Sequence, residues 1–114
     1  MLKVDPEPAR ALPEPARRIP PEMSVYKRTP QFRSDTVPAA LLRAHSTKAD
    51  TWGRIRVVEG TLIYRVVDAR RQRREWVLTP LDQGVVEPTI LHEVELTGAV
   101  TFFVEFLREP ILPE

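Results

Sequence analysis

Residues 52–67 read Trp-Gly-Arg-Ile-Arg-Val-Val-Glu-Gly-Thr-Leu-Ile-Tyr-Arg-Val-Val. Two runs rich in β-branched and aromatic residues, 54–58 and 62–67, flank Glu59-Gly60. Such runs suit the pleated, half-buried surface of a sheet. A Glu-Gly pair between them is a tight-hairpin signal, because glycine supplies the positive φ that short hairpin turns need. Further apolar runs follow outward at 25–26, 41–42, 76–78, 85–86, 92–96 and 100–107, broken by Pro38, residues 80–84, Pro88 and Thr97-Gly98. No window keeps a helical apolar period long enough for a helix. The pattern predicts an all-β domain of about eight or more short strands, closed as a sandwich or barrel.

The run at 100–107, Val-Thr-Phe-Phe-Val-Glu-Phe-Leu, is apolar on both faces. One face then lines a core and the other needs a cover, from the N-terminal tail or a second subunit, which leads to the expectation of a homodimer. Six of the 12 prolines lie in the first 21 residues, four of them within two copies of Pro-Glu-Pro-Ala-Arg. Fixed φ angles and missing N–H donors rule out a helix or ladder there. The division expected is an extended Pro-rich tail over 1–22, most simply a solvated leader, and a folded domain over 23–114.

Charge gives little direction to function. Seventeen basic residues face 16 acidic ones, for a net charge of +1, so no global pull toward nucleic acid or an anionic membrane is expected. The run Arg70-Arg71-Gln72-Arg73-Arg74 reads as a solvated loop between strands rather than a phosphate-binding stripe. The chain has no cysteine, which excludes disulfides, thiolate metal sites and a Cys nucleophile. No stretch is long and apolar enough to span a bilayer, and the N-terminus has no apolar signal region, so a cytoplasmic protein is the expectation.

The two histidines carry the chemistry. His45 precedes the Trp52 run and His92 opens the run at 92–96; in a closed barrel they can meet. Two imidazoles and one carboxylate form a common ligand set for zinc, iron, manganese or nickel. Glu105 is a carboxylate inside an apolar strand, where a lone charge is costly unless paired or metal-bound. A metal, a histidine or an arginine such as Arg54 would satisfy it. Glu95 falls on the opposite face from His92 by alternation.

These spacings resemble the cupin superfamily. Gly84, Pro88 and His92 follow its second motif, whereas the first is degenerate: His45 stands 15 residues before Gly60, Thr47 replaces the second histidine, and Gly53 or Arg54 occupies the glutamate position. A closer resemblance is carried by Tyr26-Lys-Arg-Thr-Pro, Asp35-Thr-Val-Pro-Ala, Leu41-Leu-Arg-Ala-His-Ser-Thr-Lys, Trp52-Gly-Arg-Ile, Val86-Glu-Pro, His92-Glu-Val-Glu and Phe102-Phe-Val-Glu-Phe. In that order they are similar to the small TehB/YeaR-like family, which occurs alone or fused ahead of a methyltransferase in tellurite-resistance proteins. The resemblance implies a cupin-like double-stranded β-helix (jelly-roll barrel) linked to tellurite or nitrate stress, with His45, His92 and Glu105 where relatives carry similar groups. No Gly-rich nucleotide-binding segment follows, so methyl transfer is not expected.

The expected metal ligands are thus His45, His92 and Glu105, holding a divalent ion. The alternative is a polar network in which Glu105 orients the histidines. Thr47, Lys48, Trp52, Arg54 and Tyr64 are the expected ligand-binding residues, with Arg43, Lys48 and Arg54 as a positive rim for a small oxyanion. Trp52 and Trp76 are core or cavity-lining aromatics. Three functions follow: a stress-associated binding module, a metal-dependent oxygenase or isomerase, or a partner-binding domain with a vestigial site. The first is favoured, because no nucleophile has an activating base beside it.

Overall fold

In the computed structural model, which describes residues 11–111, the chain runs straight through Glu59-Gly60 instead of turning there. The strands are β1 (Ser24–Arg28), β2 (Phe32–Arg33), β3 (Trp52–Val66), β4 (Arg74–Leu78), β5 (Gln83–Val86) and β6 (His92–Arg108), with a 3-10 turn at Ala39–Leu42. The eight expected runs become five strands, because 52–58 joins 62–67 in β3, 92–96 joins 100–107 in β6, and 41–42 falls in the 3-10 turn; the short β2 is an unanticipated sixth. All pairings are antiparallel, in the order β1-β6-β3-β4, with β2 on β6 and β5 on β3.

The hairpin expectation fails because both halves of β3 pair with β6 rather than with each other, from Trp52↔Leu107 to Val66↔His92. Gly60 has φ +82, and a Cβ built on it would run into the Ala99 carbonyl oxygen. It serves a β-bulge and a close backbone approach, the other common reasons for a strand glycine. The irregularity also sets facing. Leu62 lies five positions after Val57, which in a regular strand would put them on opposite faces. The register shifts at 57–62 bring both inward, and Ile55, Val57, Leu62, Tyr64 and Val66 are all buried. With Leu78, Val86, Val94, Val100, Phe102 and Val104 they form one core on the inner face.

Residues 12–16 are fastened to the sheet, although 11–14 remain exposed. Gln72 donates to the carbonyls of Leu12 and Pro13, at 2.7 and 2.9 Å, and Glu14 pairs with Arg74 at 3.0 Å. The Ala16 amide donates to Glu87 at 2.7 Å, and Pro15 is buried. The arginine run is correspondingly engaged: Arg70 pairs with Asp68, Arg71 with Glu87 and Arg74 with Glu14. The outer side of β6 is partly covered from within the chain, the Arg28 guanidinium lying 5.4 Å from the Phe103 ring centre.

Candidate functional site

His45 and His92 meet. Their backbones exchange two hydrogen bonds, each 2.9 Å, in an isolated antiparallel bridge. The ring centres are 4.2 Å apart with planes tilted by 58°. Nδ1 of His45 lies 2.8 Å from the Arg43 carbonyl oxygen, and Nδ1 of His92 lies 3.1 Å from that of Ile90. A carbonyl oxygen only accepts, so each Nδ1 carries a proton, and the Nε2 of a neutral ring keeps a free lone pair. Burial, reinforced by His45, lowers the His92 pKa to about 4, so this ring is neutral at pH 7.

The turn that delivers His92 is clamped. Thr89 has φ +66, an uncommon conformation for a β-branched residue. Its amide donates to the Thr47 carbonyl at 3.2 Å and its carbonyl accepts from Arg70 at 2.7 Å. Asp68, buried, accepts from Arg70 and from the Leu91 amide, and these bonds hold its carboxyl far below the usual range. A charged cluster outside the site thereby fixes the strained turn before β6.

The histidines border a cavity of about 420 Å³, inside the roughly 300–1,000 Å³ span of small-molecule sites. Its walls are Ile55 of β3, Val86 of β5, and Val94, Phe102, Val104 and Phe106 of β6, closed by Phe32 and Leu41. Strand alternation explains the β6 contribution, since every second residue from His92 to Val94 and from Phe102 to Phe106 points the same way. Thr47 and Lys48 also line it, as expected from the sequence; the Thr47 hydroxyl donates to the Thr51 carbonyl at 2.7 Å. Lys27 and Thr29 were not anticipated: a register shift between Val25 and Lys27 brings the neighbours Tyr26 and Lys27 both to the lining.

Other expected residues fall elsewhere. Glu105 is an odd number of positions from His92 and lies on the opposite face of β6. There it accepts from Arg28 at 2.6 Å and from Arg54, its register partner on β3, at 2.9 Å. Burial would raise its pKa, but the two guanidiniums hold it below the usual carboxylate range. Arg54 and Trp52 alternate with the cavity-lining Gly53, so they too face away. Tyr64 sits behind the site: its hydroxyl donates to the Val85 carbonyl at 2.8 Å, its ring stacks on Trp76 and meets the His92 ring in a T-shaped contact. Glu95 points outward and bonds Arg65.

Glu105 therefore does not complete a histidine–carboxylate ligand set. Among the described residues no three His, Cys, Asp or Glu side chains gather as a metal site requires. The donors present, two imidazoles and no carboxylate, do not fit a cupin-type centre.

Residues 27–104 match the family described as the TehB-like domain. The probable S-adenosyl-L-methionine-dependent methyltransferase TehB of Haemophilus influenzae (strain KW20 / Rd) is 33% identical over 76 residues, covering 65% of this chain and 27% of that protein. Its counterpart in strain 10810 is 32% identical over the same length and coverage. The chain thus spans about a quarter of the curated relatives it matches. The crystal structure of Haemophilus influenzae TehB superposes with a TM-score of 0.70 at 27% identity, covering 78% of this chain and 32% of that one. An Escherichia coli K12 protein superposes with a TM-score of 0.72 at 20% identity, covering 82% and 98%, a likeness of fold alone.

Proposed function

For this chain, which belongs to the TehB-like domain family, we propose a non-catalytic binding module that takes one small ligand into the cavity beside the histidine pair. The observation that carries this reading is the pair itself: two imidazoles, each with Nδ1 spent on a backbone carbonyl, at the wall of an apolar cavity of about 420 Å³. An apolar chamber with a few fixed polar groups is the usual construction of a small-ligand site. The tellurite and nitrate context that the family resemblance implies accords with this reading. Methyl transfer is not part of the proposal, since the matched region is 27% of the relatives that carry that name.

The test is backbone NMR mapping with phenol, a neutral ring bearing one O–H. Shifts centred on Val94, Phe102, Val104 and the two histidines support the module; shifts elsewhere or none overturn it. Elemental analysis of untagged protein prepared without chelator separates the second reading, in which the histidines hold a metal. That reading requires about one metal ion per chain, lost in His92→Ala; the binding module as proposed requires only traces.

A further inference from the structure

We propose, building on the binding module above, that the cavity selects an amphiphilic hydroxy acid. Its O–H donates to an Nε2 of the histidine pair, its apolar frame lies against β6, and its carboxylate meets Lys27 and Lys48.

The charged and ionisable groups of the lining are one-sided. They include Lys27, Lys48, His45 and His92, with no Asp, Glu or Arg. A site of this composition attracts an anion and gives it no internal counter-charge to displace. The histidine end adds a different preference. With each Nδ1 committed to a carbonyl, Nε2 of a neutral ring only accepts, so that end pairs with a ligand donor and turns away a second carboxylate. The low His92 pKa keeps this true at neutral pH.

The fold separates the two ends. His92 opens β6, whereas Lys27 pairs with Phe106 near its close. Lys48 sits at the same far end, because its carbonyl accepts from Thr51, the residue before β3, whose Gly53 faces Phe106. Residues 45–51 form the wall between: His45 bridges His92, and Thr47 accepts from Thr89. His45 and Lys48 are three residues apart, which limits their Cα separation to about 10 Å. A single aromatic ring with para-related hydroxyl and carboxylate groups has a matching arrangement.

Isothermal titration of the full chain at neutral pH with 4-hydroxybenzoate, benzoate and methyl 4-hydroxybenzoate tests this. Removing the hydroxyl (benzoate) or the charge (the ester) is expected to weaken binding about ten-fold each, the size of one net charged or buried hydrogen bond. The double variant Lys27→Ala/Lys48→Ala, at two exposed positions, brings the acid down to the ester's affinity. His45→Ala removes the advantage of 4-hydroxybenzoate over benzoate. If the ester binds as tightly as the acid, or benzoate as tightly as 4-hydroxybenzoate, the hydroxy-acid proposal is overturned while the cavity remains a ligand site. If none of the three binds, both readings fail.

Discussion

Acidification tests the state of the histidine pair without any ligand. The unfolded chain presents His92 with its ordinary value of 6.5, and the folded chain lowers it to about 4, mainly by burial and then by His45. Between those values the unfolded state binds the extra proton, so stability rises with pH. The contribution is whole above 6.5 and is lost as pH falls toward 4. At ~1.4 kcal/mol per pH unit the loss is about 3 kcal/mol, a large share of a small domain's stability. Urea unfolding across pH 4.5–7.5 measures it, comparing the wild type with His92→Asn, which keeps a polar side chain but cannot titrate. The carboxylates with lowered values, Asp68, Glu87 and Glu105, add their own losses toward the acid end in both proteins. The difference between the two profiles therefore isolates His92. Parallel profiles would refute a ring held neutral by burial, and with it the acceptor-only reading of Nε2.

Three further substitutions probe the framework. Gly60→Ala places a methyl against the Ala99 carbonyl at φ +82 and should destabilise by roughly 2–4 kcal/mol, whereas Gly98→Ala, with open space around it, should change little; equal effects by thermal melting would remove the bulge argument. Glu105→Ala leaves Arg54 without its buried partner and should destabilise by about 2 kcal/mol, discounted because Arg28 is exposed, yet should leave phenol binding intact. Loss of phenol binding in a folded Glu105→Ala protein would place Glu105 back at the site. Glu87→Ala removes the acceptor of both the Ala16 amide and Arg71, and limited proteolysis should then cut within residues 11–20 faster than in the wild type.

What was legible in the sequence follows from the two-residue period of strands. The β class, the approach of His45 to His92, and the outward placement of Glu95 rest on composition, order and alternation. The same period would have excluded Glu105: β6 runs from His92 to Arg108, and an even and an odd position on it face opposite ways unless a bulge intervenes. Glu105 is eligible as a ligand only if 92–96 and 100–107 form separate strands. Gly60 was misread for a related reason, since a positive-φ glycine serves a hairpin and a bulge alike. Which one forms depends on a strand some 40 residues away in sequence, and local patterning does not carry that information. The anchoring of residues 12–16 was not legible because their partners, Gln72, Arg74 and Glu87, are likewise remote; the first Pro-Glu-Pro-Ala-Arg copy lies outside the described residues. Lys27 was missed because its place in the cavity depends on a register shift that no residue type announces.

The most direct measurement of the central claim is the ring-nitrogen NMR spectrum of His45 and His92 at pH 7, before and after addition of 4-hydroxybenzoate. Nδ1 is expected to be protonated in both rings of the free protein and Nε2 bare in His92, with the acid moving an Nε2 signal and leaving Nδ1 in place. Bare Nδ1 atoms, or Nε2 signals that ignore a saturating amount of the acid, would contradict that claim.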